Sequence, residues 1–210
     1  MPPVRRPSDA ARPSRSYDPG QTRKSIIKAG LKLFKKSGFA STAVKDIAEQ
    51  AGVTKGAFYH HFETKEDLLL LIQEDYLDYQ IAALDKVMAS GGTATERLTA
   101  VITSTLEALE KYHENVAIFF QERRFLTGAK FESVRQRRQV LEDQFRTLLD
   151  AGVASGEFRR DLDVPVTCLA LIGMCAWSYQ WYSPRGRLKL DDVARIFSTL
   201  ALRGMETERR

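Results

Sequence analysis

Apolar positions recur with a helical period along most of the chain, and they halt at glycines, prolines and short polar clusters. From Gln21, Ile27, Leu31 and Phe34 form a stripe with Ile26, Gly30 and Leu33 beside it, while Lys24, Lys28, Lys32, Lys35 and Lys36 fall outside it. Ser37-Gly38 supplies the stop, with Gly38 as a left-handed cap, and Phe39 opens a connection ending at Ser41-Thr42, a natural N-cap. A short helix over residues 43–50 then buries Val44, Ile47 and Ala48, with Ala51 behind them. Gly52 breaks it, and Val53-Thr54 opens another through residue 60. Two helices of about two turns joined by a glycine-containing turn make a helix-turn-helix. Helices this short are unstable alone, so they need a floor, which Phe58, Phe62, Leu68, Leu69 and Ile72 can supply.

The rest of the chain reads as six longer helices, over residues 66–90, 93–111, 114–126, 130–151, 164–182 and 190–203. Their stops are Gly91-Gly92, the pair Gly152 and Gly156, and Ser183-Pro184-Arg185-Gly186, while Asp163-Val164-Pro165 opens the penultimate helix. No alternating strand pattern competes. The expected fold is therefore all-α, with nine helices: a three-helix head over residues 20–65 and a helical domain over residues 66–210. The Pro-, Arg- and Ser-rich residues 1–19 read as a disordered basic tail.

Composition narrows the function. With 210 residues, 43% hydrophobic and 28% charged, the chain can build a sizeable core. No apolar run approaches the roughly 18 residues of a membrane span, and the N-terminus lacks the apolar stretch of a secretory signal, which points to the cytoplasm. Cys168 and Cys175, about 10 Å apart if they share a helix, are out of disulfide reach and read as small core residues. The net charge of +5 hides an asymmetry. Residues 1–65 carry 13 Lys/Arg against 5 Asp/Glu, and the remainder 19 against 22. A basic N-terminal third meets a polyanion or is simply a solvated face, and charge alone leaves both open.

The motif decides between them. The run GFASTAVKDIAEQAGVTKGAFYHHF followed by ETKEDLL resembles the DNA-binding region of TetR-type transcription regulators, over roughly residues 22–72. A recognition helix packs one face on the scaffold and presents polar side chains to base edges with the other. Val53, Ala57 and Phe58 can pack inward, leaving Thr54, Lys55, Tyr59 and His60 outward, with Gly56 permitting close approach to the duplex. Thr42 and Lys45, at the start of the preceding helix, are candidates to hold a phosphate, and Lys65 could grip a flanking one. The adjacent His60 and His61 lack an acidic or cysteine partner at ligand spacing, so no metal site is expected.

TCLALIGMCAWSYQWY, apolar nearly all round, must be buried on more than one side. The TetR resemblance implies that the last two helices form a four-helix bundle with a second copy, making a homodimer. WSYQWYSPRGRL, the DLDVP run and FESVRQRR are similar to a branch of that family that controls fatty-acid or sterol degradation and senses acyl-CoA thioesters. Such a ligand wants apolar walls and cations for its phosphates. Phe119, Phe120, Trp177 and Trp181 are candidate walls, and Arg123, Arg124, Arg135, Arg137 and Arg138 candidate phosphate partners, although aromatics at this spacing also serve as core and arginines as solvated surface. A regulator sensing a lipophilic cation would instead need a buried carboxylate, for which Glu122 is the candidate. Catalytic motifs are absent from the sequence, and Glu142-Asp143 fall side by side on one helix. The reading is a ligand-responsive repressor that binds a palindromic double-stranded operator as a homodimer, with no cofactor, no membrane partner and an acyl-CoA effector. A helical interaction protein without DNA binding, or an enzyme, are the rivals.

Overall fold

Nine α-helices and two short 3₁₀ turns make up residues 18–206, which the computed structural model describes, and no strand occurs among them. The helices are α1 Pro19–Ser37, α2 Val44–Ala51, α3 Lys55–His61, α4 Lys65–Ala89, α5 Ala94–Lys111, α6 His113–Glu122, α7 Gly128–Ser155, α8 Val164–Trp177 and α9 Leu190–Met205. The turns are Arg123–Phe125, after α6, and Ser178–Gln180, after α8. The tail expected over residues 1–19 lies, up to residue 17, outside the described residues. Its last two residues instead start α1: the Asp18 carboxylate accepts from the N–H of Gly20 at 2.9 Å, and Pro19 occupies the first turn, where its missing N–H costs nothing.

Local chemistry sets the other boundaries. Gly38 has positive φ but extended ψ (78°, 160°), so it bends the chain out of α1 without the left-handed cap expected of it. The left-handed cap falls at Gly52, which closes α2 and sets the tight turn into α3. Thr54 caps α3 by accepting from Ala57 N–H at 3.1 Å. Thr64 and Asp67 cap α4 reciprocally at 2.7 and 3.2 Å, and Thr93 and Glu96 do the same for α5. Gly152 does not end α7: the helix continues to Ser155 and stops at Gly156. Gly152 is there for packing, because a Cβ at that position would lie 2.2 Å from the fully buried Phe158 ring. α8 is shorter than the apolar run suggested, since the chain tightens after Trp177.

Two hydrophobic clusters fill the molecule, and α4 runs through both. One unites the head with α6 through Phe34, Phe39, Phe58, Leu68, Ile72 and Phe119. The other joins the far half of α4 to α5, α7, α8 and α9 through Leu98, Phe145, Phe158 and Cys175. Phe58, Phe62, Leu68, Leu69 and Ile72 are all buried, as the floor of a helix-turn-helix requires. Cys168 and Cys175 are free and buried, and burial pushes the Cys175 thiol up to about 12.

Candidate nucleic-acid interface and effector chambers

The head presents one polar face. Phe58 is fully buried and Val53 and Ala57 are half-buried, which turns Lys55, Gly56, Tyr59 and His60 of α3 toward solvent. Tyr59 is 46% exposed, held edge-on to Phe58 at 5.5 Å, with the Lys55 ammonium 5.7 Å from its centroid. A Cβ on Gly56 would meet only the Thr54 hydroxyl, at 3.7 Å, so the backbone there is open to an approaching surface. Lys45 is exposed at the first turn of α2. His60 and His61 stand edge to face at 5.1 Å. Burial, with the charges of His60 and Arg23, lowers the His61 pKa.

Two candidate phosphate ligands turn inward instead. Thr42 is 3% exposed and donates its hydroxyl to Gly38 O at 2.8 Å; the N-cap of α2 is Ala43, whose N–H donates to the Asp46 carboxylate at 3.2 Å. The Lys65 ammonium donates to Phe39 O at 2.6 Å and to Thr42 O at 2.8 Å, and stands 4.2 Å from the Phe39 centroid. Two of its three donors are therefore used inside the head. Both residues fix the connection over residues 38–42, which the sequence could not distinguish from phosphate binding.

Two neighbouring chambers open between α4 and α7, the first beside α6 and the second beside the turn that follows it. The first is apolar, encloses about 80 Å³, and is walled by Phe119, Phe120, Leu77, Leu141 and Phe145, with Tyr76 and Gln80 also on its lining. The second, about 270 Å³, is walled by Arg123, Arg124, Arg135 and Arg138 with Leu126, Phe131, Val134 and Gln73. Arg138 belongs to both, and its guanidinium stands 3.9 Å from Glu142. Arg135 is held bidentately by Glu132 on the surface. Arg137 lies outside both chambers, bound to Glu74 and Asp78 at 2.9 and 2.8 Å.

Two of the expected walls lie elsewhere. Trp177 and Trp181 are 63% and 48% exposed and border neither chamber. Trp177 shares the stripe of Val166 and Leu169 on α8, which points away from the core, and Trp181 leans on Phe197 of α9 at 6.2 Å. With Ile196 and Leu200 they form an apolar outer face on the last two helices. The Glu122 carboxylate also misses both chambers, lying 3.3 Å from where a Gly38 Cβ would sit; the carboxylate on the lining of the first chamber is Glu142, which faces Arg138 at 3.9 Å. Conversely, Gln73, Tyr76 and Gln80 escaped the sequence reading. All three are buried polar residues at i, i+3 and i+7 of α4, and polar residues recurring on an otherwise apolar stripe are a signal for a lined cavity. Among the described residues no group of three or more His, Cys, Asp and Glu could hold a metal ion, and no helix is long and apolar enough to cross a membrane.

A compact helix-turn-helix head on a hollow helical body with an apolar outer face defines a DNA-binding regulator of the one-component kind. Residues 26–72 match the family described as bacterial regulatory proteins, tetR family, and residues 91–205 match the tetracyclin repressor-like C-terminal domain. The chain belongs to the TetR family. It is 30% identical over 184 residues to the HTH-type transcriptional repressor KstR2 of Rhodococcus jostii, covering 87% of this chain and 90% of that one. The structure of the ketosteroid transcriptional regulator KstR2 of Mycobacterium tuberculosis superposes with a TM-score of 0.81 at 28% identity, covering 89% of this chain and 95% of that one. AibR in complex with isovaleryl coenzyme A and operator DNA superposes at 0.77 with 25% identity, over 86% of this chain and 97% of that one.

Proposed function

We propose that this protein is a homodimeric repressor that leaves a palindromic operator when an acyl-CoA thioester fills the paired chambers of each subunit. The observation that carries the effector class is their adjacency: an apolar chamber and an arginine-walled one share Arg138. A hydrocarbon chain suits the first, and the phosphates of a CoA head suit the second. The likeness to AibR, whose structure holds isovaleryl coenzyme A and operator DNA, supports the same class. The apolar chamber's roughly 80 Å³ is below the ~150 Å³ cavity that takes benzene, so the chain that enters without rearrangement is short.

In this reading α3 lies in the major groove, where Lys55, Tyr59 and His60 reach base edges, Thr54 sits at its capped start, and Gly56 lets the backbone close on the duplex. Lys45 meets a phosphate from α2. The apolar face of α8 and α9 joins the two subunits, and the two-fold axis then requires a nearly palindromic site. Ligand shifts the population toward a spacing of the two heads that no longer fits successive grooves.

The test is operator release, followed by fluorescence anisotropy, across acyl-CoAs of four to twelve carbons, the matching free acids and lipophilic cations. Release by thioesters at concentrations at least tenfold below the free acids is expected. Release by cations alone, or equal potency of acids and thioesters, overturns the effector class.

A further inference from the structure

We infer that Gln73 reads the thioester junction of the ligand, its amide nitrogen donating to the thioester carbonyl and its amide oxygen accepting from the nearest pantetheine N–H. The inference rests on the acyl-CoA reading above and adds the residue that selects the linkage.

Gln73 is fully buried, and neither its Nε2 nor its Oε1 has a hydrogen-bond partner among the described residues. A primary amide carries two donors and a strong acceptor, and leaving all of them unmet in a protein interior is costly and uncommon. Packing gives no reason for it, because Leu or Met would fill the same place on α4 without that cost. Gln73 is on the lining of the arginine-walled chamber, whose Arg123, Arg124, Phe131 and Arg135 are exposed while Gln73 is fully buried, so it lies at the inner end. One turn further along α4, Tyr76 and Leu77 already line the apolar chamber, and Arg138 spans both from α7. Gln73 therefore stands where a ligand would change from hydrocarbon to head group.

An acyl-CoA has one feature that complements both ends of this amide. Its thioester carbonyl is an acceptor, and two carbons beyond the sulfur comes an amide N–H, a donor. A free carboxylate offers acceptors only and would leave Oε1 unmet. A phosphate offers the same, so the arginines and Gln73 recognise different parts of the ligand. A site built around a buried polar group discriminates sharply against an analogue that leaves the group unpaired.

The experiment compares the tightest-binding acyl-CoA of the four-to-twelve-carbon series with its S-alkyl-CoA analogue, in which a methylene replaces the carbonyl, by isothermal titration against wild type and Gln73→Met. Wild type is expected to prefer the thioester at least tenfold. In Gln73→Met the preference should fall to within about twofold, with S-alkyl-CoA affinity kept or improved, operator affinity unchanged and melting temperature unchanged or higher. Gln73→Leu serves as a second apolar replacement should methionine pack badly. A thioester preference that survives both variants, or a wild type that binds the two ligands equally, overturns the assignment of Gln73 while leaving the effector class standing. If wild type binds neither CoA compound, both fall.

Discussion

The ammonium of Lys65, at the first turn of α4, sits 2.6 Å from the carbonyl oxygen of Phe39 and 4.2 Å from the centroid of that residue's ring. One side chain thus satisfies the backbone at the bend between α1 and α2 and covers the aromatic that the bend buries. Replacing Lys65 by Met should destabilise the fold by about 1.5–3 kcal/mol, the range for hydrogen bonds to a charged group, and loosen α2 and α3. Operator affinity should fall with it. The salt dependence tells this apart from phosphate binding. A lost phosphate contact lowers the slope of log Kobs against log[salt] by about 0.9, whereas loss of an internal clamp leaves the slope unchanged. A slope reduced by about one, with unaltered stability, would refute the clamp.

Lys55 and Tyr59 project from α3 with no role in holding it, since Phe58 anchors the helix and Thr54 caps it. Lys55→Ala and Tyr59→Ala should each weaken specific operator binding by roughly 1–3 kcal/mol while leaving the circular dichroism spectrum and the dimer intact. Unchanged affinity in both variants would remove α3 from the groove.

The Glu157 carboxylate accepts from the N–H groups of Thr95 at 3.0 Å and Ala94 at 2.9 Å, capping α5 from the loop after α7. Those two bonds lower its pKa below the ordinary glutamate value. A depressed carboxylate stabilises the fold above its unfolded pKa of about 4.3, and that contribution disappears as pH falls through the lower folded value. Glu157→Gln should therefore melt lower than wild type at pH 7, by about 1 kcal/mol of stability, the usual worth of a cap. The gap should close below about pH 4. A gap independent of pH would mean that shape, not charge, makes the cap.

The fold was legible because its signals are local. Glycines 38, 52 and 156 and the Ser/Thr/Asp caps punctuate helices whose apolar period is strong, and α3 was readable face by face. Other positions carry chemistry with two valid uses. A lysine at a helix start binds a phosphate or a carbonyl equally well, and only the fold of residues 38–42 brought two carbonyls to Lys65. Tryptophans in an apolar run fit a chamber or an outer face, and here Trp177 lies on the outward stripe of α8 with Val166 and Leu169 while Trp181, beyond the end of that helix, leans on Phe197. Gln73 was missed because an unpaired amide is visible only once its surroundings are known to be apolar and arginine-lined.

Leu200 is 65% exposed on α9, one turn from Ile196 and beside the exposed Val166 of α8, which is a poor place for a leucine unless a second copy covers it. Leu200→Arg should convert a micromolar dimer to monomer in sedimentation velocity and abolish tight operator binding, because one half-site alone is weak and an unpaired charge is costly to bury. A wild-type monomer that still binds a palindrome tightly would sink this.

The last prediction concerns the path from chamber to head. The Phe39 ring that Lys65 covers also stands 5.1 Å from Phe125, at the end of the 3₁₀ turn whose first two residues, Arg123 and Arg124, wall the second chamber. A ligand that draws those arginines inward would pull on Phe125, whose ring lies 5.0 Å from the Arg124 guanidinium and packs against Phe39 at the bend before α2. Phe125→Ala removes this contact and the ring 5.0 Å below the Arg124 guanidinium, while changing no residue of the chamber lining or of α3. The variant should bind acyl-CoA within about threefold of wild type and bind the operator normally in its absence. Saturating ligand should then weaken its operator affinity much less than the 5–150-fold typical of allosteric coupling. Titrating ligand against free protein and against the operator complex measures both constants and hence the coupling. Coupling in Phe125→Ala equal to that of wild type would show that the signal reaches the head by another route, through α4 itself.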